Sequence, residues 1–424
     1  MKDEKKIPTS HLGRFARVAA AGARLGAGRL MGGDASNPVS QAAELLGTLR
    51  GVATKLGQMA SYVDGVVPEE HRDAYEKGMK GLLAAAPRSS VADIRAALEK
   101  SLGKSIPQLF AEWDDQPLAS ASVGQVHRAR LLDGREVAVK VQHPGIVEAM
   151  DSDLDNIGLL EGLVGLGPGK KFNSKRLFEE ARTRLREELD YGLEAQRQEQ
   201  FRTFHAGDPK IRIPAVIASH CSHQVLTTEL VRGQRFDDAC FAPEDQRRQW
   251  CETLWRFVYK GNLLGGMFNA DPHPGNYFFH PDGQITFLDF GCVQLSPPHK
   301  RPVAQRMHAA ARERDEQAFA QAVRELLETQ GGGHEERSIR QMRDIYRPLF
   351  ESPFRITRTY SSGLLKTMRE LGAAARKADH KDAYVALPEG ILFMNRLQFG
   401  FYSILARLNA EVDYAAVERA FIEG

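Results

Sequence analysis

Residues Asn269-Ala-Asp-Pro-His-Pro-Gly-Asn276, followed by Phe287-Leu-Asp-Phe-Gly291, decide the reading of this 424-residue chain. Asp271 and Asn276 stand five apart, and Asp289 lies thirteen residues further on. Phosphoryl-transfer loops use this order: an acid, then an asparagine, then Asp-Phe-Gly. The physical requirement is plain. A triphosphate with Mg2+ needs hard oxygen ligands from two segments. The Asp289 carboxylate and the Asn276 amide oxygen can supply them. Asp271 can accept a proton from a hydroxyl or water, or orient that group. Gly291 permits a bend after the metal ligand. Each residue alone fits a Pro-, Gly- and Asn-rich turn beside a hairpin. The three together, at these spacings, favour the chemistry.

Working outward, Glu136-Val-Ala-Val-Lys140-Val141 sets a lysine in a β-branched run. Such a lysine is costly inside a sheet unless paired. On a strand it points to one face, where it can hold α- and β-phosphates. The bland alternative is a solvent-facing lysine on an edge strand. Sixteen residues earlier, across a hairpin, lies Gly124, at the end of Pro117-Leu-Ala-Ser-Ala-Ser-Val-Gly-Gln125. Here Ala119, Ser120, Ala121 and Ser122 occupy the place of a phosphate-covering loop, with small side chains that let backbone N–H groups approach phosphates. Lys140 needs a carboxylate partner. Glu187-Glu-Leu-Asp-Tyr-Gly-Leu-Glu194 is helical in pattern, with Asp190 and Glu194 on one face and Glu188 two residues before Asp190. Glu194 is the expected lysine partner. A solvated helix face is the ordinary explanation for any one of these acids.

Thr227-Thr-Glu-Leu-Val-Arg-Gly233 ends a strand and enters a turn. In a two-lobed fold it would connect the lobes, with backbone groups of Glu229, Leu230 and Val231 facing an adenine. Lys55-Leu-Gly-Gln58 puts Lys55 and Gln58 three apart on a helix, projecting from one side. Nothing in the residues themselves makes that pair functional. His273 and Cys292 flank the metal-ligand candidates and read as structural, because magnesium prefers oxygen.

The chain is long enough for two lobes with ample core. Hydrophobic residues make up 42% and charged residues 26%, which excludes wholesale disorder and a collagen-like chain. The net charge of +2 gives no global reason to expect nucleic acid. Four cysteines without a CxxC pair argue for reduced thiols in a cytosolic setting and against zinc. No segment approaches the roughly 18 apolar residues of a membrane span. The N-terminus lacks an apolar signal core. The stretch from His11 to Met31 could lie on a membrane surface, although a helix docked on protein is the simpler reading.

Along the chain, residues 1–37 look loosely structured. Helical patterns follow from Pro38 to Val63, Pro68 to Leu83 and Val91 to Leu102, with Ser89 and Ser90 as caps of the last. Val123–Leu132 and Glu136–Gln142 read as strands joined by Asp133-Gly134. Helices are expected from Val147 to Leu166 and Ser174 to Phe204. Strands are expected over Ile211–Ala218 and His223–Leu230. After Pro243 the pattern is helical, except for a strand pair at Tyr277–Phe279 and Ile285–Leu288. This outlines a two-lobed α+β protein with a cleft.

On these motifs the chain resembles the UbiB/AarF family of atypical protein-kinase-like proteins, and most of all the group containing the mitochondrial coenzyme Q biosynthesis ATPases. Lys55-Leu-Gly-Gln58 is similar to the family's KxGQ motif, and Glu188-Leu-Asp190 to its ExD motif. Ala119-Ser-Ala-Ser122 resembles its Ala-rich loop, with Ser120 where alanine is usual. Ile7-Pro-Thr-Ser-His-Leu-Gly-Arg14 resembles the start of the KxGQ-bearing extension. Asn269 occupies the place of the usual kinase histidine.

The resemblance implies a two-lobed protein-kinase-like fold with an N-terminal helical extension packed over the cleft. The expected domains are 1–106 (extension), 107–230 (strand-rich lobe) and 231–424 (helical lobe with the catalytic and metal loops). Lys55 and Gln58 would meet Glu188, Asp190 or the nucleotide and gate the site. Protein phosphorylation in trans would be poor. The expected activity is Mg-ATP hydrolysis stimulated by membranes or lipid-like phenols, linked to ubiquinone or another isoprenoid lipid. The partners it admits are a nucleotide, an isoprenoid phenol or quinone precursor, a peripheral membrane contact and a second copy in a homodimer. The C-terminus, with Glu411, Asp413 and Glu418, lacks the hydrophobic anchor of some bacterial members. The expected location is therefore cytoplasmic, peripheral at the inner membrane surface. Two rivals stand beside this reading: a small-molecule kinase of aminoglycoside or choline type, and a non-enzymatic module switched by nucleotide.

Overall fold

The computed structural model describes residues 89–120, 123–151, 182–183, 186–364, 366–367 and 391–423. Expectations resting on Lys55, Gln58, Ala121 and Ser122, on the stretches 7–14 and 11–31, and on the helices at 38–63 and 68–83 lie outside those residues. So do 152–166 of the helix expected from Val147 to Leu166, and 174–181, 184 and 185 of that expected from Ser174 to Phe204. The chain divides into two compact units, Met1–Gln196 with Ala215–Leu230, and Arg197–Pro214 with Val231–Gly424.

The first unit is built on an antiparallel sheet of β1 (Phe110–Ser120), β2 (Gly124–Leu131), β3 (Glu136–Gln142) and β4 (Val225–Glu229), in that spatial order. Side chains alternate along a strand. Val137, Val139 and Val141 of β3 are all buried in one core, with Ile94 and Leu98 of helix α1 (Val91–Leu102) and with Leu109 and Phe110. Lys140, out of phase with those valines, falls on the other face. It pairs with Val126 on one side and Leu226 on the other, so its strand is central and not an edge. Ser90 caps α1 by accepting from the Asp93 amide, and Gly103 ends it in the left-handed conformation that glycine favours. The Asp133-Gly134 turn joins β2 to β3, with Gly134 at φ 90°.

Two segments before Pro243 depart from the sequence pattern, and beyond it Met267–Asn269 and Val293–Leu295 pair as strands that the pattern does not mark. Phe110–Ser120 forms an eleven-residue edge strand where Pro117–Ser120 reads as loop. Its charged and proline-bearing sequence suits an edge, where a missing N–H faces no partner strand. Second, Ile211–Ala218 is not one strand. Only Ile211–Arg212 pairs, in parallel, with Ile285–Thr286, and Val216 makes a single bridge to Thr228. Pro214, which carries no N–H, separates the two.

The second unit is mostly helical: α3 (Glu244–Lys260), α4 (Arg301–Glu313), α5 (Glu316–Leu327), α6 (Gly332–Ile345), α7 (Ile391–Leu408) and α8 (Tyr414–Ile422). The unit boundary falls inside α2 (Tyr191–Phe204), after Gln196. Short strands β5 (Met267–Asn269) and β8 (Val293–Leu295) pair, and β6 (Tyr277–Phe279) pairs with β7 (Ile285–Phe287). Phe287 stacks on Phe257 of α3 with ring centres 3.7 Å apart, which fixes the hairpin on the helical core.

A buried carboxylate ties the helices together. Glu418 on α8 accepts from Trp255 Nε1 at 3.1 Å, His308 Nδ1 at 2.9 Å and Arg312 Nη1 at 2.8 Å. The Tyr346 hydroxyl then donates to His308 Nε2 at 3.0 Å. Every charge in the cluster is met by a partner, as burial requires.

His205 is the opposite case. It packs against Phe201, Phe204 and Phe257, and neither ring nitrogen has a hydrogen-bond partner among the described residues. Burial, with help from the Lys260 charge, pushes its imidazole down to about 3 from an ordinary 6.5. The unfolded chain therefore binds a proton that the folded chain refuses. The stability of the neutral ring is complete above about pH 6.5 and falls as the pH drops toward about 3, by about 1.4 kcal/mol per pH unit at the steepest. His205→Phe should flatten the loss of denaturation midpoint between about pH 6 and 4. An acid limb as steep as the parent's would show that other groups carry it.

Candidate functional site

In the first unit, the site residues gather around Lys140. Its ammonium lies 3.0 and 2.9 Å from the two oxygens of Glu194, in the first turn of α2. The Glu194 side chain is 4% exposed and that of Lys140 24%, so solvent screens the pair only partly. The ammonium also sits over the Tyr191 ring, 4.7 Å from its centre. A cation held by a carboxylate and an aromatic face, with a quarter of its surface open, can be offered to a phosphate.

Asp190 does not share a helical face with Glu194. The helix breaks at Leu189 and Asp190, and α2 begins at Tyr191. Asp190 caps it, its Oδ1 accepting from the Leu193 amide at 3.1 Å and from His223 Nδ1 at 2.9 Å. Burial works to raise the Asp190 carboxyl, but the hydrogen bonds from His223 and the Leu193 amide outweigh it and hold the group below the usual range. Aspartate at an N-cap ends the preceding turn, and residue periodicity does not reveal that. Glu188 lies in the turn before the break, half-buried.

Ala119 and Ser120 are the last residues of β1, paired with Val126 and Gln125. Gly124 opens β2 in close quarters. A Cβ there would stand 2.7 Å from the Tyr191 hydroxyl and closer still to the Val141 carbonyl oxygen. At the end of β4, the Glu229 amide donates to Ala215 and the Leu230 amide to Glu136, so both are engaged in the sheet region. Of the three residues expected to face adenine, Val231 therefore has the amide left over from these bonds.

In the second unit, strand pairing assembles the remaining residues. β6 and β7 are in register Tyr277 to Phe287, so Asn276 and Asp289 leave the hairpin at the same end, and Leu288 N donates to Asn276 O at 2.9 Å. β5 and β8 are in register Asn269 to Val293, which brings the two chain segments together again beyond the loop. Asn269 ties the two loops: its Nδ2 donates to the Asp289 carbonyl at 2.7 Å, and its Oδ1 accepts from the Asp271 amide at 3.1 Å. Asp289 has φ 59°, rare for a residue with a side chain. Its Oδ1 accepts from Gly291 N at 3.1 Å, and Arg197 donates to the Gly291 carbonyl at 3.3 Å. Strain of this kind persists only where the surroundings over-determine it, and it gathers at functional sites.

The donor set fits magnesium. Asn276 Nδ2 donates to Asp271 O at 3.1 Å and Oδ2 at 3.3 Å. With its nitrogen turned to Asp271, the amide keeps Oδ1 for a cation, and that oxygen and the Asp289 carboxylate are both hard oxygen ligands. Among the described residues there is no cluster of three or more His, Cys, Asp or Glu that could enclose a metal. A magnesium ion here would thus keep water or phosphate oxygens in its shell. Burial pushes the Tyr277 phenol well above its ordinary range, and the neighbouring Asp271 charge adds to the shift.

Motif order and spacing mark Lys140, Glu194, Asp271, Asn276 and Asp289, but not the roles of the residues that hold them. Asn269 heads the deciding motif and Tyr191 follows Asp190, yet nothing in the sequence signals that the first ties two loops or that the second lies under the Lys140 ammonium.

The model of the ABC1 atypical kinase-like domain matches residues 81–323. The chain belongs to this UbiB/AarF-like family of atypical kinases. Its ABC1 relatives include the mitochondrial atypical kinase COQ8B of Rattus norvegicus, 32% identical over 68% of this chain and 57% of that one. The mitochondrial atypical kinase coq-8 of Caenorhabditis elegans is 34% identical over 57% of this chain and 32% of that one. The chain thus spans between about a third and three fifths of the length of these curated relatives. Among solved structures, Rv3197 of Mycobacterium tuberculosis, in complex with erythromycin, is similar over 96% of this chain and 98% of that one, at 28% identity and a TM-score of 0.64. The fold is accordingly α+β and kinase-like, with a strand-bearing and a helical lobe. Membership of the ABC1 family implies a capacity for ATP and Mg2+ and phosphotransferase-like chemistry. No helix among the described residues is long and apolar enough to cross a membrane.

Proposed function

We propose that this protein is an atypical kinase-like ATPase of the coenzyme Q type, supporting ubiquinone or other isoprenoid-lipid metabolism, with little activity on proteins. The observation that carries this reading is the second unit's oxygen set, in which Asn269 links Asp271 to Asp289 while Asn276 leaves the same end of the hairpin as Asp289. Asn276 and Asp289 would hold magnesium. Bound there, the metal would neutralise phosphate charge and polarise the transferring group. Asp271 is the acid–base or orienting group. Lys140, held by Glu194, would contact the α- and β-phosphates. Ala119, Ser120, Ala121 and Ser122 would cover them, and the backbone of Glu229, Leu230 and Val231 would receive the adenine. Lys55 and Gln58, with Glu188 and Asp190, would gate the site. In this reading 1–106 serves as a regulatory extension, 107–230 as the nucleotide lobe and 231–424 as the catalytic lobe. The protein would work at the cytoplasmic face of a membrane, as a peripheral partner of lipid and in a homodimer.

The test is phosphate release from ATP by the purified chain, with and without anionic vesicles and a phenolic quinone precursor. Slow magnesium-dependent release, rising with vesicles and phenol, is expected. Nucleotide binding without release under any of these conditions would instead mark a binding switch. The mycobacterial relative solved with erythromycin favours a second reading, a phosphotransferase acting on small molecules. Phosphate appearing on an added macrolide or amino alcohol, rather than in solution, would support it.

A further inference from the structure

We propose that His273 is a catalytic residue of the phosphoryl-transfer loop, its Nε2–H donating a hydrogen bond to the terminal phosphoryl group; this rests on the nucleotide reading above. His273 is exposed, two residues beyond Asp271 and three before Asn276. The Gly275 amide donates to its Nδ1 at 3.1 Å. A backbone N–H can only donate, so Nδ1 must present a lone pair and the neutral ring carries its hydrogen on Nε2. The tautomer is thus set by the loop itself.

The loop also holds the ring's backbone on both sides. His273 N donates to Asp271 O at 2.7 Å, and Asn276 N donates to His273 O at 2.9 Å. Gly275 lies close beneath the ring: a Cβ there would stand 3.0 Å from Nδ1.

The chemistry of the neighbours leaves one task open. Ionised Asp271 and Asp289 only accept hydrogen bonds. Asn276 directs its Nδ2 to Asp271, and Asn269 directs its Nδ2 to Asp289 O. Among the donor atoms of the side chains of 269–276, Nε2 of His273 is the one that makes no hydrogen bond among the described residues. A transferring phosphoryl group spreads negative charge over its peripheral oxygens, and a pre-oriented donor stabilises that charge most as it develops. A ring N–H donor in this loop binds the anion without taking the place of Asp271 as the proton acceptor. No bond to the ring forms or breaks, and no proton leaves it.

Two substitutions separate this role from a purely structural cap. Asparagine can accept from the Gly275 amide through Oδ1 but has no donor at the Nε2 position. Glutamine carries an amide N–H near the Nε2 position but loses the Nδ1 cap. Calorimetric titration of the full chain with Mg-ADP, and with Mg-ADP plus aluminium fluoride as the mimic of the transferring group, reads the contact without turnover. His273→Asn should bind Mg-ADP within about twofold of the parent and the fluoroaluminate complex about tenfold more weakly, as befits one hydrogen bond to a charged group. Its kcat should fall about 10²-fold with KM little changed. His273→Gln should recover most of both losses. Thermal melting of each variant reports the cap separately. A parent-like His273→Asn beside a failing His273→Gln would overturn the assignment and leave the ring a cap. A parent that binds neither complex would overturn the nucleotide reading itself, and this inference with it.

Discussion

Asp289→Asn should lower magnesium-dependent phosphate release by about 10²- to 10³-fold while leaving the fold intact. The substitution is chosen for the backbone. Asp289 sits at φ 59°, and asparagine is among the few residues that enter this region readily. Its Oδ1 can still accept from Gly291 N, and its carbonyl can still accept from Asn269. What disappears is one negative charge at a hard-oxygen ligand, and with it the match to a small divalent cation. The magnesium concentration for half-maximal turnover should rise, and melting temperature without nucleotide should stay near the parent's. Parent-level turnover at the parent's magnesium requirement would mean that Asp289 does not hold the metal.

The largest loss of stability is expected far from that loop. Glu418→Ala leaves Trp255, His308 and Arg312 facing a gap, and two of those three donors lie deep in the core. Removing one partner of a buried charged network typically costs about 3–5 kcal/mol, because the remaining charge keeps its desolvation penalty without its compensation. Glu418→Gln, which keeps one acceptor oxygen, should cost about half as much. Denaturant midpoints at constant slope measure both. A loss below about 1 kcal/mol for Glu418→Ala would show that water or neighbouring groups replace the carboxylate at little cost.

The parts legible in the sequence share a physical origin. Lys140 is conspicuous because a lone ammonium among Val137, Val139 and Val141 demands a partner, and period-two alternation assigns it a face. Asp133-Gly134 announces its hairpin because few residues adopt the backbone that turn needs. Asp271, Asn276 and Asp289 are legible as a set because phosphate and magnesium demand those oxygen types in that order. Elements that rest on context are not legible in this way. Phe110–Ser120 is a strand because β2 offers it an edge, and its own residues, with Asp114, Asp115 and Pro117, argue for a loop. The break at Leu189–Asp190 depends on His223, 33 residues away, meeting the aspartate. Glu418 looks like one more acid near a C-terminus, and only folding reveals donors 106 to 163 residues distant. Asn269 stands two residues from the expected acid, yet its role as a tie follows from the β5–β8 register, which sequence spacing does not show.

The most direct test of the account is calorimetric binding of ATP to the full chain, with magnesium and with EDTA, beside Lys140→Met and Asp289→Asn. The account predicts one nucleotide per chain, bound tightly only with magnesium, and weakened by either substitution. Binding that survives both substitutions unchanged, or that ignores magnesium, would contradict it.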